Sequence, residues 1–573
     1  MVRNGRHCKA LGPYDLNKDF STVLHRWIVA IVALLLAQPC LAQGVSLGHG
    51  DRTASLYRDL LKLDEGGHPL LPVSVLSNLD KLEVSASGGV RILGTGDGSV
   101  EARVPSPVEV SAIAQKTGVF QYFVVLGRAP AYDFATLLRV KNQWKERAIA
   151  VKTLSSGTTY SLAGHNFDTK ITLICLDLSF ASDAEAQQRV ADLTKLYPND
   201  ELAVHAVVES PPQATLIARA GGSEIRAADV LWFESVGKNA LHIVGNGKSG
   251  RRELELPGRI YVVPGQSGLE VVNEAELEKM LEGVVASEIF LSAPDAALRA
   301  QAVAARTDML AKVGTRHVTD PYAICSEVHC QAYHGMGKVN PRISQAVQDT
   351  RGLVMVDAEG HLVDAYYHAV SGGHTENNEN AWPGRPQVAL RGRADLQDGA
   401  ADLLAQGATD EAVAALLASK DSSWAAASGQ NAEACRWTTE KTAQEIQHSL
   451  QGYGVSKPVA AIRVLARGVS GRATLVELTL QDQSKVDIAG ELRIRKALGG
   501  SAGPKGLRSS LFLVKAGPSA SKGVPDKWIF SGAGFGHGVG MDQTGAFGRA
   551  KAGQDFRQIL QYYYANSKIE KLY

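Results

Sequence analysis

Cysteine, net charge and long apolar runs are all scarce in this chain, and each shortage closes off a class of protein. Six cysteines in 573 residues are too few to staple a disulfide scaffold. Sixty Lys plus Arg against 59 Asp plus Glu leave a formal charge of +1. The basic field of a nucleic-acid binder is therefore missing, and so is the acidic excess of a solvating tail. No internal repeat or low-complexity segment stands out, which excludes a collagen-like array. With 45% hydrophobic and 21% charged residues, the remaining class is a globular protein. A length of 573 residues fits roughly two to four domains.

One apolar run does occur, over residues 27–37, but eleven residues cannot span a bilayer as a helix, which needs about 20. Arg3, Arg6, Lys9, Lys18 and Arg26 precede it, and Cys40-Leu41-Ala42 puts small residues where an export signal is cleaved. The expectation is a signal peptide over 1–42. The mature chain is then exported, periplasmic or cell-wall associated, with no stable membrane span.

Periodicity divides the rest. Residues 43–212 read as an N-terminal α+β module of unknown role. Within it, 119–126 and 171–176 look like strands, and 134–151 and 181–196 like amphipathic helices. This order resembles that of SPOR-type glycan-binding repeats, without a specific motif. Pro211-Pro212 marks a boundary, and 213–573 reads as the larger, catalytic domain. There, 274–288 carries Leu277, Met280, Leu281, Val284 and Val285 at helical spacing, and Pro294-Asp295 opens a second, alanine-rich helix running to about Lys312. The fold class predicted is α+β, with mixed helices, short antiparallel sheets and a deep cleft in the catalytic domain.

Four stretches carry candidate chemistry. Glu288 ends the apolar helix, a setting that disfavours the charged carboxylate and suits a general acid; a salt-bridged helix end is the alternative, with Arg299 and Arg306 as available partners. Between 317 and 331, His317, Cys325, His329 and Cys330 fit a compact tetrahedral zinc site, whereas a Cys325–Cys330 disulfide would suit an exported protein. Ser371-Gly372-Gly373-His374-Thr375-Glu376 follows a predicted strand over 362–370 and reads as an exposed polar turn, with Trp382 nearby as a face for a sugar ring. Finally, eight glycines fall between Ser531 and Gly553, in a loop presenting His537, Asp542 and Gln543. No Gly-Lys-Ser/Thr follows it, so it is not a phosphate loop.

Taken in order, these pieces resemble the stage II sporulation protein D / LytB amidase-enhancer family. The matching stretches are 281–288 (LEGVVASE), 300–307 (AQAVAART), 330–333 (CQAY), 371–376 (SGGHTE), 436–438 (RWT) and 536–541 (GHGVGM). The resemblance covers roughly 215–573 and implies a peptidoglycan lytic transglycosylase with Glu288 as catalytic acid/base. Zinc in the segment 317–330 is implied for some members, so one structural zinc is expected and no other cofactor. Sporulation itself does not follow. Expected substrate contacts are Arg306, Ser371, His374, Thr375, Glu376, His537 and Gln543. The partners are glycan strands and, as an alternative function, a cell-wall amidase that the protein stimulates without catalysis of its own. A zinc hydrolase with Glu327 as base is a third reading, disfavoured because two thiolates more often mark structural zinc.

Overall fold

The computed structural model describes residues 55–57 and 61–573, apart from 95–100, 198–199, 201, 238, 248–249, 328–329, 383, 500–505 and 522. The expected signal peptide and His329 lie outside the described residues. Mixed helices and antiparallel sheets make up the fold, which is α+β.

Its largest sheet has thirteen strands among the described residues. The spine runs Ser223–Ala228, Gln213–Ala220, Val108–Lys116, Pro69–Ser85, Gly268–Glu276, Arg259–Gly265, Leu231–Ser235, Val90–Gly94, Glu101–Val104, each strand antiparallel to the next. The long strand Pro69–Ser85 lies at its centre, with Leu71, Val73, Val75, Leu82 and Val84 buried. This corrects the division expected at 212, because strands from both sides of that position alternate in one sheet. Lys116 pairs directly with Gln213.

Within 43–212, it is the stretch 119–210 that forms a sheet of its own. Its order is Ala203–Ser210, Val119–Pro130, Ile171–Leu176, Val151–Ser156, with helices Phe134–Glu146 and Asp183–Leu196 as the crossovers. That is a βαββαβ arrangement of the ferredoxin-like type. Leu137, Val140, Trp144, Ala186 and Leu193 of the helices bury Val124, Leu126, Ile174 and Leu176 of the sheet. A hairpin, Thr159–Leu162 with His165–Asp168, leaves this sheet and places Leu162 and Phe167 in the core of the large one. There Tyr160 Oη donates to Leu310 O at 2.8 Å and Thr169 Oγ1 to Val313 O at 2.8 Å.

Two helices carry the candidate chemistry. Leu277–Glu288 buries the five apolar residues read from its spacing, each at most 1% exposed. Residues 274–276 extend the preceding strand instead of the helix. Asp295–Lys312 is enclosed on nearly every side, and Ala297, Ala300, Ala302, Ala304 and Ala305 let its neighbours close in. The strand expected over 362–370 shrinks to Tyr367–His368, which pairs in parallel with Met541–Asp542. The main chain beyond it bonds to the glycine-rich loop, through Val370 and Phe535.

Candidate active site

Glu288 is the last residue of its helix and is half-buried. The segment after Cys330 lies directly against it: Ala332 N–H donates to Glu288 Oε1 at 2.7 Å, and His334 N–H to Ser287 Oγ at 3.2 Å. Close approach depends on Gly283, where a Cβ would meet the Tyr333 ring at 2.6 Å. Tyr333 is itself locked, its hydroxyl donating to Asn273 Oδ1 at 2.9 Å. Burial pushes the Glu288 carboxyl above its ordinary value, and Asp308 adds to this, while the Ala332 N–H, Lys312 and Gln543 pull the other way.

A polar row flanks the carboxyl group. Lys312 Nζ donates to Asp308 Oδ2 and to Cys330 O, Gln331 Nε2 donates to the same Asp308 oxygen, and Tyr367 Oη donates to Gln331 Oε1. Gln543 completes the surround from the start of the helix Gln543–Lys551. Its Nε2 donates to Glu288 O at 2.9 Å and to Gln301 Oε1 at 3.3 Å. Sequence reasoning passed over Gln301, Asp308, Lys312, Gln331 and Tyr367. One signal was available: Gln301, Asp308 and Lys312 are seven and four apart, so they share one face of the helix.

Several expected substrate contacts are instead internal supports. Arg306 is fully buried and clasps Glu278 with two bonds, Nε to Oε1 at 2.7 Å and Nη2 to Oε2 at 2.6 Å, while its Nη1 donates to Leu353 O at 3.0 Å. The 371–376 turn is not exposed either. Ser371 donates N–H to Asp542 Oδ2 at 2.7 Å and Oγ–H to Asp395 Oδ2 at 3.1 Å. His374 Nδ1 lies 2.7 Å from Thr375 O, and Thr375 Oγ1 bonds both main-chain groups of Arg393. Glu376, 1% exposed, accepts from Asn377 N, Asn380 Nδ2, Val469 N, Ser470 N and Ser470 Oγ. All are polar because they satisfy one another's buried groups, not because they face a ligand.

The glycine-rich loop has a structural need of the same kind. It wraps the buried Arg472, which donates to Ser371 O, His374 O and Gly536 O. At Gly538 φ is +83°, and a Cβ there would stand 2.4 Å from the guanidinium carbon. His537 takes Val539 N–H on Nδ1 at 3.1 Å and bonds the Tyr367 main chain. Burial, then Arg472 and Arg495, lower it to about 3, so it is neutral and no proton donor near neutral pH. Its ring packs 4.7 Å from Trp382. Asp542 caps the next helix through Gly545 N–H at 2.8 Å.

Apart from His329, the expected metal ligands come together. Ligand atoms of His317, Cys325 and Cys330 all lie within 4.8 Å of one another. Cys325 is held in place by main-chain pairing of Ile324–Cys325 beside Val73 and Ser74. His317 Nδ1 is 2.9 Å from Asp320 Oδ2, the carboxylate support usual for a metal-binding imidazole. Burial alone would lower His317, but Asp320 and Cys325 raise it to about 9. The Cys330 thiol is pushed up by its hydrogen bond with Cys325 and by burial. Two sulfurs and an imidazole are ligand types that suit zinc, and atoms this near one another could share one ion.

One of the matches to known families falls on this region. The model of a family described as stage II sporulation protein matches residues 265–356, which hold Glu288, the polar helix face and the His317/Cys325/Cys330 cluster. One described as a domain of unknown function matches 376–540. An uncharacterized protein of Brachyspira hyodysenteriae is 28% identical over 312 residues, covering 54% of this chain and 71% of that protein. The amidase enhancer of Bacillus subtilis is 27% identical over 309 residues, 50% of this chain and 40% of its own length. Among the described residues no helix is long and apolar enough to cross a membrane. The family match lies over the residues that surround Glu288, and together with the relative named amidase enhancer it supports membership of the stage II sporulation protein D / LytB amidase-enhancer family.

Proposed function

We propose that this protein, whose family supports a cell-wall-related role, is a peptidoglycan lytic transglycosylase. The observation that carries the reading is the setting of Glu288: a half-buried carboxyl group with a raised proton affinity, fixed by one main-chain N–H and bordered by polar groups that are tied to each other. Protonated Glu288 donates to the glycosidic oxygen leaving C1 of N-acetylmuramic acid. The resulting carboxylate then takes the proton of the sugar's own 6-hydroxyl, whose oxygen bonds to C1. One C–O bond breaks, another forms, and no water is consumed. A single carboxyl group thus serves as acid and then base, unlike the pair used by ordinary glycosidases. Mass spectrometry of digested glycan strands tests this, with 1,6-anhydro-muramyl ends expected. A second reading rests on the relative named amidase enhancer: a protein that only stimulates a partner amidase would release stem peptides when the partner is present and yield no anhydro ends.

Zinc, bound through His317, Cys325 and Cys330, with His329 as a further candidate, would have a structural role. It would pin Cys330, two residues before the Ala332 N–H that holds Glu288. Elemental analysis of reducing-agent-treated protein should find close to one zinc per chain, and a chelator should lower the thermal midpoint. Zinc-free protein with a Cys325–Cys330 bridge would overturn this.

A further inference from the structure

The hydrogen bonds of Gln543 continue inward to a residue that no substrate can touch. A main-chain carbonyl only accepts, so the end of the Gln543 amide facing Glu288 O must be its NH2. The same NH2 faces Gln301, which must therefore turn its oxygen outward to meet it. Gln301 is completely buried in the helix Asp295–Lys312, and its own NH2, forced the other way, has no acceptor among the described residues. Exchanging the two ends of the Gln301 amide would set NH2 against NH2. An unpaired buried donor is unfavourable, and a leucine or methionine of similar size would avoid it. Packing alone gives no reason for an amide here.

We propose that Gln301 is a positioning residue: it fixes the Gln543 amide with its NH2 against Glu288, and so holds the last turn of Leu277–Glu288 in the arrangement from which the carboxyl group reacts. The Ala332 N–H holds the carboxyl group itself. The Gln301–Gln543 pair holds the adjoining main chain through Glu288 O. This rests on the reading of Glu288 as acid/base, but the relay itself is a statement about hydrogen bonds and can be measured without catalysis.

The test uses the full chain with Gln301→Leu, Gln543→Ala and the double variant, assayed for anhydro-muramyl ends. Gln301→Leu should keep or raise the thermal midpoint, leave KM unchanged and lower kcat by about 10- to 100-fold, the scale expected when a reacting group is slightly misplaced. Because Gln301 acts through Gln543, the double variant should be no slower than Gln543→Ala alone. Gln301→Met, unbranched like glutamine, repeats the measurement if the leucine variant does not fold. In parallel, NMR of the side-chain amide protons should show slow exchange at Gln543 in the parent and fast exchange in the Gln301 variant. Parental kcat, multiplying effects in the double variant, or unchanged exchange would each overturn the inference. A parent that makes no anhydro ends while its Gln543 exchange still depends on Gln301 would overturn the functional reading and leave the relay standing.

Discussion

Glu288→Gln is expected to fold as the parent does and to lose about 10²-fold or more of the rate at which glycan strands yield anhydro ends, the usual worth of general acid–base help. The substitution changes one atom. An amide oxygen can still accept the Ala332 N–H, and the helix end keeps its bond from Gln543. What is lost is the acidic proton that the carboxyl group can give up and take back. Stability should move the opposite way from activity. The folded carboxyl group binds its proton more tightly than the reference value of 4.5, so ionising it above that value works against the fold. The parent thus loses this contribution as pH rises from the unfolded value through the folded one. An amide at this position cannot ionise, so the variant's thermal midpoint should match or exceed the parent's at pH 7, and the difference should vanish well below pH 4.5. In the parent, cleavage that needs the acid form should fall as pH rises through the raised value. A glutamine variant cleaving at the parental rate would sink the assignment.

Arg306→Ala should be the most damaging single change to the fold, at about 3–5 kcal/mol, the cost of stranding one partner of a buried ion pair. The Arg306 side chain is 0% exposed and that of Glu278 6%. Glu278 also accepts Tyr573 Oη at 2.7 Å and Gly352 N–H at 3.2 Å, so this one carboxylate ties the helix Leu277–Glu288 to residue 352 and to the C-terminal tyrosine. Burial would raise its proton affinity, but Arg306 and the other donors hold it below the ordinary 4.5. Its contribution is therefore present above that value and lost as pH falls through the folded one. The gap between parent and Arg306→Ala should accordingly be widest near neutrality and narrow in acid. Arg306→Met combined with Glu278→Leu should recover much of the loss, since an apolar pair needs no charge partner. Thermal unfolding measures all three. A variant with the parental midpoint but no glycan binding would restore Arg306 to the substrate.

The two central helices were legible because their signal is local. Leu277, Met280, Leu281, Val284 and Val285 repeat at the helical period, and Pro294-Asp295 marks the next start. Glu288 was legible as the one carboxylate closing that face. The sheet was not: nothing near Val73 or Val110 shows that their strands lie among others from much later in the chain. Burial of the 371–376 turn was hidden for the same reason. Glu376 looks like a solvated side chain until Val469 and Ser470, 93 and 94 residues away, supply its donors. Polar residues were read as facing outward, and here distant loops fold over them.

The pairing of Lys116 with Gln213 has a consequence for how such a protein can change. The ferredoxin-like segment leaves the large sheet from one strand and returns on the strand beside it, so both of its ends stand at a single rung. A short turn could close that rung and keep every other strand in register. The segment can therefore be gained, lost or exchanged between relatives without rethreading the sheet that carries the glutamate. Its removal would leave a hole where Leu162 and Phe167 now sit, and larger side chains lining that hole would be enough to close it.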